Sequence, residues 1–482
     1  MCKGFKRKKS RSFIVTALLF IFVFTMTGCS DKSSETTNSK VKNNNNRKSV
    51  STKVEDGKVY ASLKEAFEYV GGECKIEGKS ATATKDKDTI KVVSDSKEAE
   101  LNSTKITMTD EVKNINNDLY VSMSFLKEVM DARVSFDEEN KVLNINTEMP
   151  LSYTKGFSVT YLKGGLKKVV DGDKRTLILV PQGKIVPEEY KNEIVVNMPI
   201  KDVMLGSTTQ ACLLRPIKEL ETVKAVTTEK KNWTIPEIIN GLESGATTFV
   251  GTGKAPDYEK ISTLKPSIAF VYSGPSGQKE MMDKFNELKI SYAVDNDYLE
   301  EDPFGRMEWL KFVAAFYDKE EEAEKYFNEA VSKVQDIAKK VSSGKKPKVA
   351  WGMISKGEVY VPKSDSYAAK MIELGGGDYI FKSEGVGNAK ISIEEFYAKA
   401  KEADVFVYAS TTNYAPTLKG VLEQAPILEN LNSVQNKNVW CFHADYYQSL
   451  DKTDELILDL VGIFQPEVNS GYDIKHYVKY KE

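Results

Sequence analysis

The sequence predicts an α/β fold in which two lobes are joined by a long helix and preceded by a small α+β domain. Short apolar segments alternate with helical patterns on both sides of residues 302–343, which themselves show helical periodicity. Residues 59–79 recur at 119–140, at an offset of 60 positions. Continuous apolar strands separated by helices are typical of parallel sheets covered on both faces, so each lobe is predicted to be Rossmann-like.

Residues 1–28 are predicted to be a lipoprotein signal peptide. Basic residues crowd the first eleven positions, and an apolar run of 14 residues follows from Phe13 to about Met26. A spanning helix needs roughly 20 residues, so this run is short for one. The ending Met26-Thr27-Gly28-Cys29 resembles the lipobox of bacterial lipoproteins, which implies cleavage before Cys29 and diacylglycerol on its thiol. The alternative is an uncut membrane anchor.

Residues 29–54 are predicted to be a disordered tether. Ser30 to Lys53 are rich in Ser, Thr, Asn and Lys and contain few apolar residues. Such a segment buries too little surface to offset the entropy lost on ordering. We therefore expect a flexible connection between the lipid anchor and the folded part.

Composition limits the possible functions. The 482 residues include 68 basic and 70 acidic ones, so no basic surface favours nucleic-acid binding. The chain has 5 cysteines in no Cys-x-x-Cys motif and only 2 histidines, which argues against a zinc site or a multi-histidine metal centre. We expect no enzyme activity, no catalytic residue, no resident metal and no cofactor, and we expect a monomer.

Residues 55–148 are predicted to form the small domain. Each copy of the repeat gives a strand, a helix started by a serine, and a strand pair, with Ser62 and Ser122 as N-caps. The pattern resembles the N-terminal domain of copper amine oxidases, which serves as a stalk in surface proteins. The resemblance implies no oxidase chemistry here, because that needs three copper-binding histidines. We expect a spacer or a module that contacts the cell wall.

Residues 151–468 alternate between strands and helices. The linking helices are predicted at 301–344 because apolar residues such as Ala323, Phe327 and Ala330 recur at steps of three and four. They separate an N-terminal lobe at 151–300 from a C-terminal lobe at 345–468, and a polar tail is expected at 469–482. The predicted strands are 176–181, 202–206, 223–228, 247–251, 268–272, 291–295, 348–353, 405–410 and 439–442, with helices at 207–219, 276–288, 365–375, 393–402 and 453–463.

The two lobes resemble the substrate-binding proteins of ABC importers for iron-siderophores, haem and cobalamin. The resemblance rests on "KDVMLGSTTQACLLRPIKELETVKAVTT", "FVGTGKAPDYEKISTLKPSIAFVYSG", "SYAAKMIELGGGDYIF" and "ISIEEFYAKAKEADVFVYAS", in this order. It implies a permease and its ATPase as partners. It also implies docking on the permease through one glutamate of each lobe, Glu259 and Glu394, with Glu395 as the alternative for the second. The protein is then expected on the outer face of the cell membrane.

A ligand site is predicted where strands of the two lobes end, because α/β sheets bind ligands there. Aromatic residues offer rigid contact area with a polar tip. The predicted ligand-binding residues are Tyr272, Trp351, Tyr360, Tyr414, His443, Asp445, Tyr446 and Tyr447, with Ser207, Thr208 and Gly251 from loops of small residues. Core packing or helix capping is the alternative for each, and Trp440 is expected in the core.

The ligand is less defined than the site. Arg175, Arg215 and Arg306 are the arginines of residues 151–468, too few for the cluster expected around a catecholate chelate. An iron-siderophore of hydroxamate type or another metal chelate is favoured, with a corrinoid such as cobalamin, or haem near His443 and Tyr446, as alternatives. A surface-anchored hydrolase lacks support because no Gly-x-Ser-x-Gly occurs. A surface adhesion protein is the other alternative.

Overall fold

The structure, a computed structural model, describes residues 49–274, 278–341 and 346–481. The signal peptide, Cys29 and most of the tether therefore lie outside the described residues. The predicted fold class is confirmed: two α/β lobes follow a small α+β domain and are joined by two helices. In the described ranges, no helix is both long and apolar enough to cross a membrane.

The small α+β domain, called the stalk domain below, contains the predicted repeat. Its elements are β1 (Thr52–Glu55), β2 (Lys58–Ser62), α1 (Leu63–Tyr69), β3 (Glu73–Glu77), β4 (Ser80–Lys85), β5 (Asp88–Val93), β6 (Glu98–Leu101), β7 (Thr104–Thr107), β8 (Lys113–Ile115), β9 (Asp118–Ser122), α2 (Met123–Val129), β10 (Arg133–Asp137) and β11 (Val142–Asn146). The sheets have the orders β1-β2-β9-β8, β3-β4-β5-β6-β7 and β10-β11. The repeat units are thus β2-α1-β3-β4 and β9-α2-β10-β11.

The two repeat units meet through their first strands. β2 and β9 pair antiparallel, with Tyr60 opposite Ser122 and Ser62 opposite Tyr120, so the register is reciprocal. The Ser62 hydroxyl accepts a hydrogen bond from the backbone N–H of Glu65 at 3.2 Å and caps α1. Ser122 precedes α2 without such a bond, because its hydroxyl lies 2.9 Å from that of Ser124 instead.

The prediction of disorder up to residue 54 is wrong at its end. Strand β1 begins at Thr52 and pairs antiparallel with β2, and Val50 is buried in the stalk core. The segment looks polar because β1 is an edge strand that leaves most of its side chains exposed, so hydrophobicity alone does not reveal it.

A separate four-stranded sheet follows the stalk. It contains β12 (Ser158–Tyr161), β13 (Lys167–Val170), β14 (Thr176–Pro181) and β15 (Ile194–Met198). β12, β13 and β14 pair antiparallel, and only β14 and β15 are parallel. Residues 176–181 thus form a strand, as predicted. The sequence pattern predicts this strand within the parallel sheet of the N-lobe, whereas the structure has it in the separate four-stranded sheet. Connections too short for a crossover helix force this hairpin arrangement.

The N-lobe proper has a parallel five-stranded sheet. Its elements are β16 (Val203–Leu205), α3 (Thr208–Leu214), β17 (Val223–Val226), α4 (Pro236–Ser244), β18 (Thr248–Phe249), β19 (Gly251–Thr252), β20 (Ala255–Pro256), α5 (Tyr258–Leu264), β21 (Ile268–Val271), α6 (Gln278–Leu288) and β22 (Tyr292–Val294). The order β18-β17-β16-β21-β22 reverses direction beside β16. The carboxyl ends of β16, β21 and β22 therefore meet at the edge where such sheets bind ligands.

Two helices join the lobes. α7 (Pro303–Ala315) is buried along almost its whole length, and α8 (Glu320–Val341) has 22 residues, which corresponds to roughly 33 Å. α8 buries one stripe that includes the predicted Ala323, Phe327 and Ala330 and exposes charged residues on its other face.

The C-lobe combines parallel and antiparallel strands. Its elements are β23 (Lys348–Ser355), β24 (Glu358–Pro362), α9 (Tyr367–Leu374), β25 (Asp378–Tyr379), β26 (Asn388–Ser392), α10 (Ile393–Ala400), β27 (Val405–Thr411), α11 (Leu418–Leu422), α12 (Asn432–Gln435), β28 (Val439–Phe442), α13 (Thr453–Phe464) and β29 (Tyr477–Lys479). The order is β26-β24-β23-β27-β28-β29, and β25 also pairs with β23. Helices α9 and α13 cover this sheet beside α7 and α8.

The prediction of a polar tail after residue 468 is wrong for its second half. β29 pairs antiparallel with β28, and His476, Tyr477 and Tyr480 are buried. The Tyr480 hydroxyl donates to the backbone carbonyl of Ala415 at 2.8 Å. The many lysines give the segment its polar appearance, but its aromatic side chains face the C-lobe.

Candidate functional site

A cavity of about 370 Å³ lies between the lobes and is called the interlobe cavity here. It falls within the size range of small-molecule sites in proteins. Its walls come from the loop after β22 in the N-lobe and from several elements of the C-lobe. The lining residues are Tyr298, Leu299, Glu300, Glu301, Trp351, Met353, Tyr360, Pro362, Ser366, Tyr367, Ala368, Val386, Gly387, Asn388, Ala409, Phe442 and Tyr447.

The N-lobe wall is one short loop with two carboxylates. Glu300 Oε1 accepts a hydrogen bond from the indole N–H of Trp309 at 2.9 Å and another from the hydroxyl of Thr154. These two donors are neutral, so they orient Glu300 without cancelling its charge. The side chains of Glu301, Tyr298 and Leu299 are exposed.

The C-lobe wall is aromatic. Trp351 lies on β23 with its ring centroid 5.4 Å from that of Phe442, which ends β28. Phe442 in turn stacks on Tyr446 with the centroids 3.8 Å apart and the planes 5° from parallel. Tyr446 is thus buried behind the wall, and Tyr447 is half exposed beside it. Close packing of these rings fixes the wall before any ligand arrives.

A second, smaller cavity of about 40 Å³ lies beside the first and has room for a water molecule. Thr209, Arg306, Tyr367, Tyr446 and Tyr447 are among its lining residues. The Arg306 guanidinium lies 4.5 Å from the centre of the Tyr367 ring and donates to Asp297 Oδ2 at 3.0 Å. Arg306 therefore connects helix α7 with the N-lobe loop and with helix α9 of the C-lobe.

A buried carboxyl group lies directly after β22. Burial raises the pKa of Asp295 well above its usual value, and the nearby charge of Asp297 acts in the same direction. Asp295 accepts a hydrogen bond from the backbone N–H of Asp297 at 3.1 Å, while its other carboxyl oxygen has no partner among the described residues. The carboxyl group thus supports the loop that forms the N-lobe wall.

The structure brings together part of the predicted site. Trp351, Tyr360 and Tyr447 line the interlobe cavity, and Tyr446 and Tyr447 line the smaller one. Tyr272 stands one layer behind, with its ring centroid 5.8 Å from that of Tyr298. These five tyrosine and tryptophan positions thus cluster at one edge of the two sheets.

Other predicted site residues lie outside both cavities. Tyr414 is 79% exposed on the loop after β27. Ser207 is the N-cap of α3 in a capping box with Gln210, and Thr208 follows it as the first helical residue. Gly251 has φ of 84°, and a Cβ there would lie 2.3 Å from the carbonyl oxygen of Ala255. Local backbone requirements therefore account for Ser207 and Gly251.

His443 and Asp445 belong to a polar network at the back of the C-lobe wall. The Asp445 carboxylate accepts hydrogen bonds from His443 Nδ1 at 2.7 Å and from His476 Nδ1 at 3.2 Å. Burial alone raises the pKa of Asp445, but the hydrogen bonds to His476 and His443 outweigh it and lower the pKa to about 2. Burial lowers the pKa of His476, but Asp445 and Glu455 outweigh burial and raise it. The network anchors β29 to the segment that carries Tyr446 and Tyr447.

The predicted docking residues occupy equivalent places on the two lobes. Glu259 is exposed in the first turn of α5, and Glu394 is exposed in the first turn of α10. The neighbouring Glu395 forms a salt bridge with Lys399 at 2.9 Å. Within the described parts of the chain, neither Glu259 nor Glu394 forms a salt bridge, which leaves both carboxylates available to a partner.

Sequence reasoning missed most of the N-lobe wall and one side of the C-lobe wall. Tyr298, Glu300 and Glu301 follow β22, and the rule that ligands bind beyond strand ends points to this loop. Tyr367 starts α9, and Arg306 lies within α7. No local pattern marks either of them as cavity residues, because only the packing of α7 against α9 brings them together.

Two α/β lobes joined by two helices, with an aromatic cavity between them, define a two-lobed ligand-binding protein. The family described as periplasmic binding protein matches residues 212–446, and the copper amine oxidase N-terminal domain matches residues 40–145. The chain is 35% identical over 387 residues to an uncharacterized lipoprotein of Methanocaldococcus jannaschii, covering 73% of this chain and 92% of that protein. The chain belongs to the periplasmic binding protein family and carries a copper amine oxidase N-terminal-type domain in front.

The chain is also similar to two solved bacterial structures. A periplasmic solute binding protein from Veillonella parvula is 17% identical, with a TM-score of 0.48 and coverage of 64% of this chain and 89% of that one. An ABC transporter substrate-binding protein from Listeria monocytogenes is 16% identical, with a TM-score of 0.44 and coverage of 55% and 99%.

Proposed function

We propose that the protein is the membrane-anchored substrate-binding component of an ABC importer, and that it captures a metal chelate, such as a ferric siderophore of hydroxamate type. The observation that carries the proposal is the interlobe cavity, which has a preformed aromatic wall on one lobe and a polar loop on the other. Such a cavity suits a ligand with large apolar faces and a polar rim. The ligand is bound and released without chemical change.

The anchor and the docking residues complete the proposal. A lipid on Cys29 keeps the protein at the outer face of the membrane, where its local concentration near the permease is high. Glu259 and Glu394 lie on different lobes, so together they can fix the orientation of both lobes on the permease. Charge pairs at such a contact contribute more to association rate and register than to affinity.

Tryptophan fluorescence tests the ligand assignment. Trp351 lines the cavity, whereas Trp233 is buried in the N-lobe core. Titration with a ferric tris-hydroxamate chelate is expected to quench the fluorescence with a micromolar or lower Kd. Trp351→Phe is expected to remove most of the quenching, and the matched Trp233→Phe variant to retain it. Haem and cobalamin are titrated in parallel, and tighter binding of either one than of the chelate contradicts the assignment.

Uptake of radioactive iron chelate tests the importer role. In cells that lack the native protein, the Glu259→Ala/Glu394→Ala double variant is expected to bind chelate normally and to lose most uptake. A variant with the same change in charge at exposed positions, Glu402→Ala/Glu384→Ala, is the control. Equal uptake by the two double variants contradicts docking through Glu259 and Glu394.

Cell fractionation tests the anchor. Cys29→Ala is expected to prevent labelling by radioactive fatty acid and to change the processing of the chain, so that the mature lipidated form disappears from the membrane fraction. Labelled lipid retained on the variant contradicts the assignment of Cys29.

A further inference from the structure

We propose that the part of the ligand that enters the interlobe cavity is positively charged, as in a chelate that carries a free ammonium or quaternary ammonium group. The inference rests on the proposed function in one respect only, namely that the cavity is the ligand site. It goes further by assigning the charge of the ligand, which neither the fold nor the family determines.

The charge of the lining is the first argument. The interlobe cavity is lined by two glutamates, and none of its described lining residues is a lysine, arginine or histidine. Glu300 is held by the neutral donors Trp309 and Thr154, so its charge stays uncompensated. Glu301 is exposed at the cavity edge and, within the described residues, forms no salt bridge. An anionic ligand would meet two like charges here, whereas a cation would meet two opposite ones.

The aromatic wall is the second argument. Five of the lining side chains are tyrosines or tryptophan: Tyr298, Trp351, Tyr360, Tyr367 and Tyr447. Faces of tyrosine and tryptophan rings attract ammonium groups, most strongly where water is excluded. Carboxylates combined with several aromatic rings are the chemistry by which proteins recognise ammonium and quaternary ammonium groups.

The two cations that lie against the cavity's tyrosine rings do not reverse this balance. Arg306 lies over the Tyr367 ring, but Asp297 accepts its hydrogen bond at 3.0 Å and offsets its charge. Lys390 lies 5.2 Å from the centre of the Tyr360 ring, and Glu358 is 3.6 Å from its ammonium nitrogen. Arg306 and Lys390 therefore each have a carboxylate nearby, whereas no salt bridge among the described residues involves Glu300 or Glu301. These two cations also show that the tyrosines of this wall accept cations against their rings.

Glu300 is prepared for this role before a ligand binds. Its two hydrogen bonds fix one carboxyl oxygen, and the packing of Trp309 in the core fixes the donor. A carboxylate that is already oriented loses little conformational entropy on binding, so more of its attraction for a cation appears as affinity. The expected consequence is discrimination against chelates that present carboxylates or catecholates.

A matched series of probes tests the inference. Three ferric tris-hydroxamate chelates differ only at one end, which carries a free amine, its neutral N-acetyl derivative or its negative N-succinyl derivative. Tetraethylammonium serves as a fourth probe without a chelate, and binding is followed by tryptophan fluorescence and calorimetry at low salt. The amine is expected to bind about tenfold more tightly than the N-acetyl form, and the N-succinyl form more weakly still. Added salt is expected to reduce this preference.

Variants of the chain locate the effect. Glu301→Gln, at an exposed position, is expected to reduce the preference for the amine over the N-acetyl form about threefold to tenfold. Glu402→Gln makes the same change in charge on the exposed surface elsewhere and is expected to change neither affinity. Glu300→Gln, which keeps an acceptor for Trp309, is the second cavity variant, and its thermal unfolding is measured to exclude misfolding.

The outcomes separate this inference from the proposed function. Equal affinity for the three chelates overturns the inference and leaves the chelate-binding function standing. Binding of tetraethylammonium that depends on Glu301, without binding of any chelate, supports a cationic ligand and overturns the chelate assignment. Tighter binding of the N-succinyl form, or no binding of any of the four probes, overturns the inference.

Discussion

The N-lobe wall of the interlobe cavity presents carboxylates from one short loop, whereas the C-lobe wall presents packed aromatic rings from several strands. The difference follows from the two sheets. β22 ends the parallel sheet of the N-lobe, and the chain leaves it in a polar loop with Glu300 and Glu301. The C-lobe sheet is extended by antiparallel strands, so residues such as Trp351, Tyr360 and Phe442 form a broad surface. One lobe thus supplies charge and the other apolar area.

The acids behind the walls of the two lobes behave in opposite ways. Burial raises the pKa of Asp295 behind the N-lobe wall, whereas histidines lower the pKa of Asp445 behind the C-lobe wall. The N-lobe loop is therefore supported by the carboxyl group of Asp295, which resists ionisation. The C-lobe wall is supported by the ionised carboxylate of Asp445 and its histidine partners. This contrast gives the two lobes different responses to substitution and to pH.

The largest expected effect comes from breaking the contact that joins the two lobes. Arg215 of the N-lobe donates from Nε to Asp451 Oδ2 at 2.8 Å and from Nη2 to the backbone carbonyl of Gln448 at 3.1 Å. Arg215→Ala leaves Asp451, which is buried, without its cation. The free energy of unfolding is expected to fall by about 3 kcal/mol in urea denaturation.

Arg215→Lys is the matched variant for this contact. It keeps the charge but loses the paired geometry, so a smaller loss is expected. A loss below about 0.5 kcal/mol for Arg215→Ala would show that the lobes do not depend on this ion pair.

Removing one ring of the C-lobe wall is expected to weaken ligand binding strongly. Tyr447 lines both cavities and is half exposed before the ligand arrives, so its ring is available for contact. Tyr447→Ala is expected to raise the Kd of the ferric tris-hydroxamate probe about thirtyfold, which corresponds to about 2 kcal/mol. Tyr414→Ala, at a more exposed tyrosine outside the cavities, is the control. Equal effects of the two substitutions would contradict the assignment of the wall.

The C-lobe network predicts a stability maximum in mildly acidic solution. The folded pKa of Asp445, about 2, lies below its unfolded value of roughly 3.9, so its contribution is complete above about pH 4 and is lost as pH falls towards 2. The pKa of His476 is raised, so its contribution is complete below about pH 6.5 and is lost as pH rises above that value.

Asp445→Asn tests this network. Between pH 5 and pH 2.5 the native protein is expected to lose about 2 kcal/mol more of its unfolding free energy than the variant. Asp473→Asn, at an exposed position shortly before β29, is expected to follow the native protein. Parallel pH profiles of native protein and Asp445→Asn would contradict the role of the network.

The smallest expected effect distinguishes helix capping from ligand binding as the role of Ser207. Ser207→Ala removes the capping box of α3 and is expected to lower the free energy of unfolding by about 1 kcal/mol. The Kd for the ferric tris-hydroxamate probe is expected to change less than twofold. Thr208→Ala, one residue into the helix, is the control for stability. A tenfold loss of affinity in Ser207→Ala would show that Ser207 contributes to ligand binding.

Much of the fold follows from the sequence because the signals are local. The apolar strands and the stripe on α8 each lie within a short window, and the repeat is visible when residues 59–79 are compared with 119–140. The structure has all three. Two of the errors come from edge strands. β1 and β29 each pair with one neighbour only, so their exposed side chains hide the strand in the sequence pattern.

The site follows from the sequence only where strand ends mark it. Trp351, Tyr360 and Tyr447 lie on or after strands, and their aromatic character points to a cavity. Tyr367 and Arg306 meet through the packing of two helices far apart in the chain, which no local pattern contains. Ser207 has the same small polar character in a cap as in a ligand loop, so its role depends on its three-dimensional surroundings.

A crystal structure of the protein with the amine-bearing ferric tris-hydroxamate chelate tests the central claim most directly. The anomalous signal of iron locates the chelate without assumptions about its orientation. The account predicts one iron peak in the interlobe cavity, within reach of Trp351, Tyr360 and Tyr447, with the amine directed towards Glu300 and Glu301. An iron peak elsewhere on a saturated protein would contradict a ligand held between a charged lobe and an aromatic one.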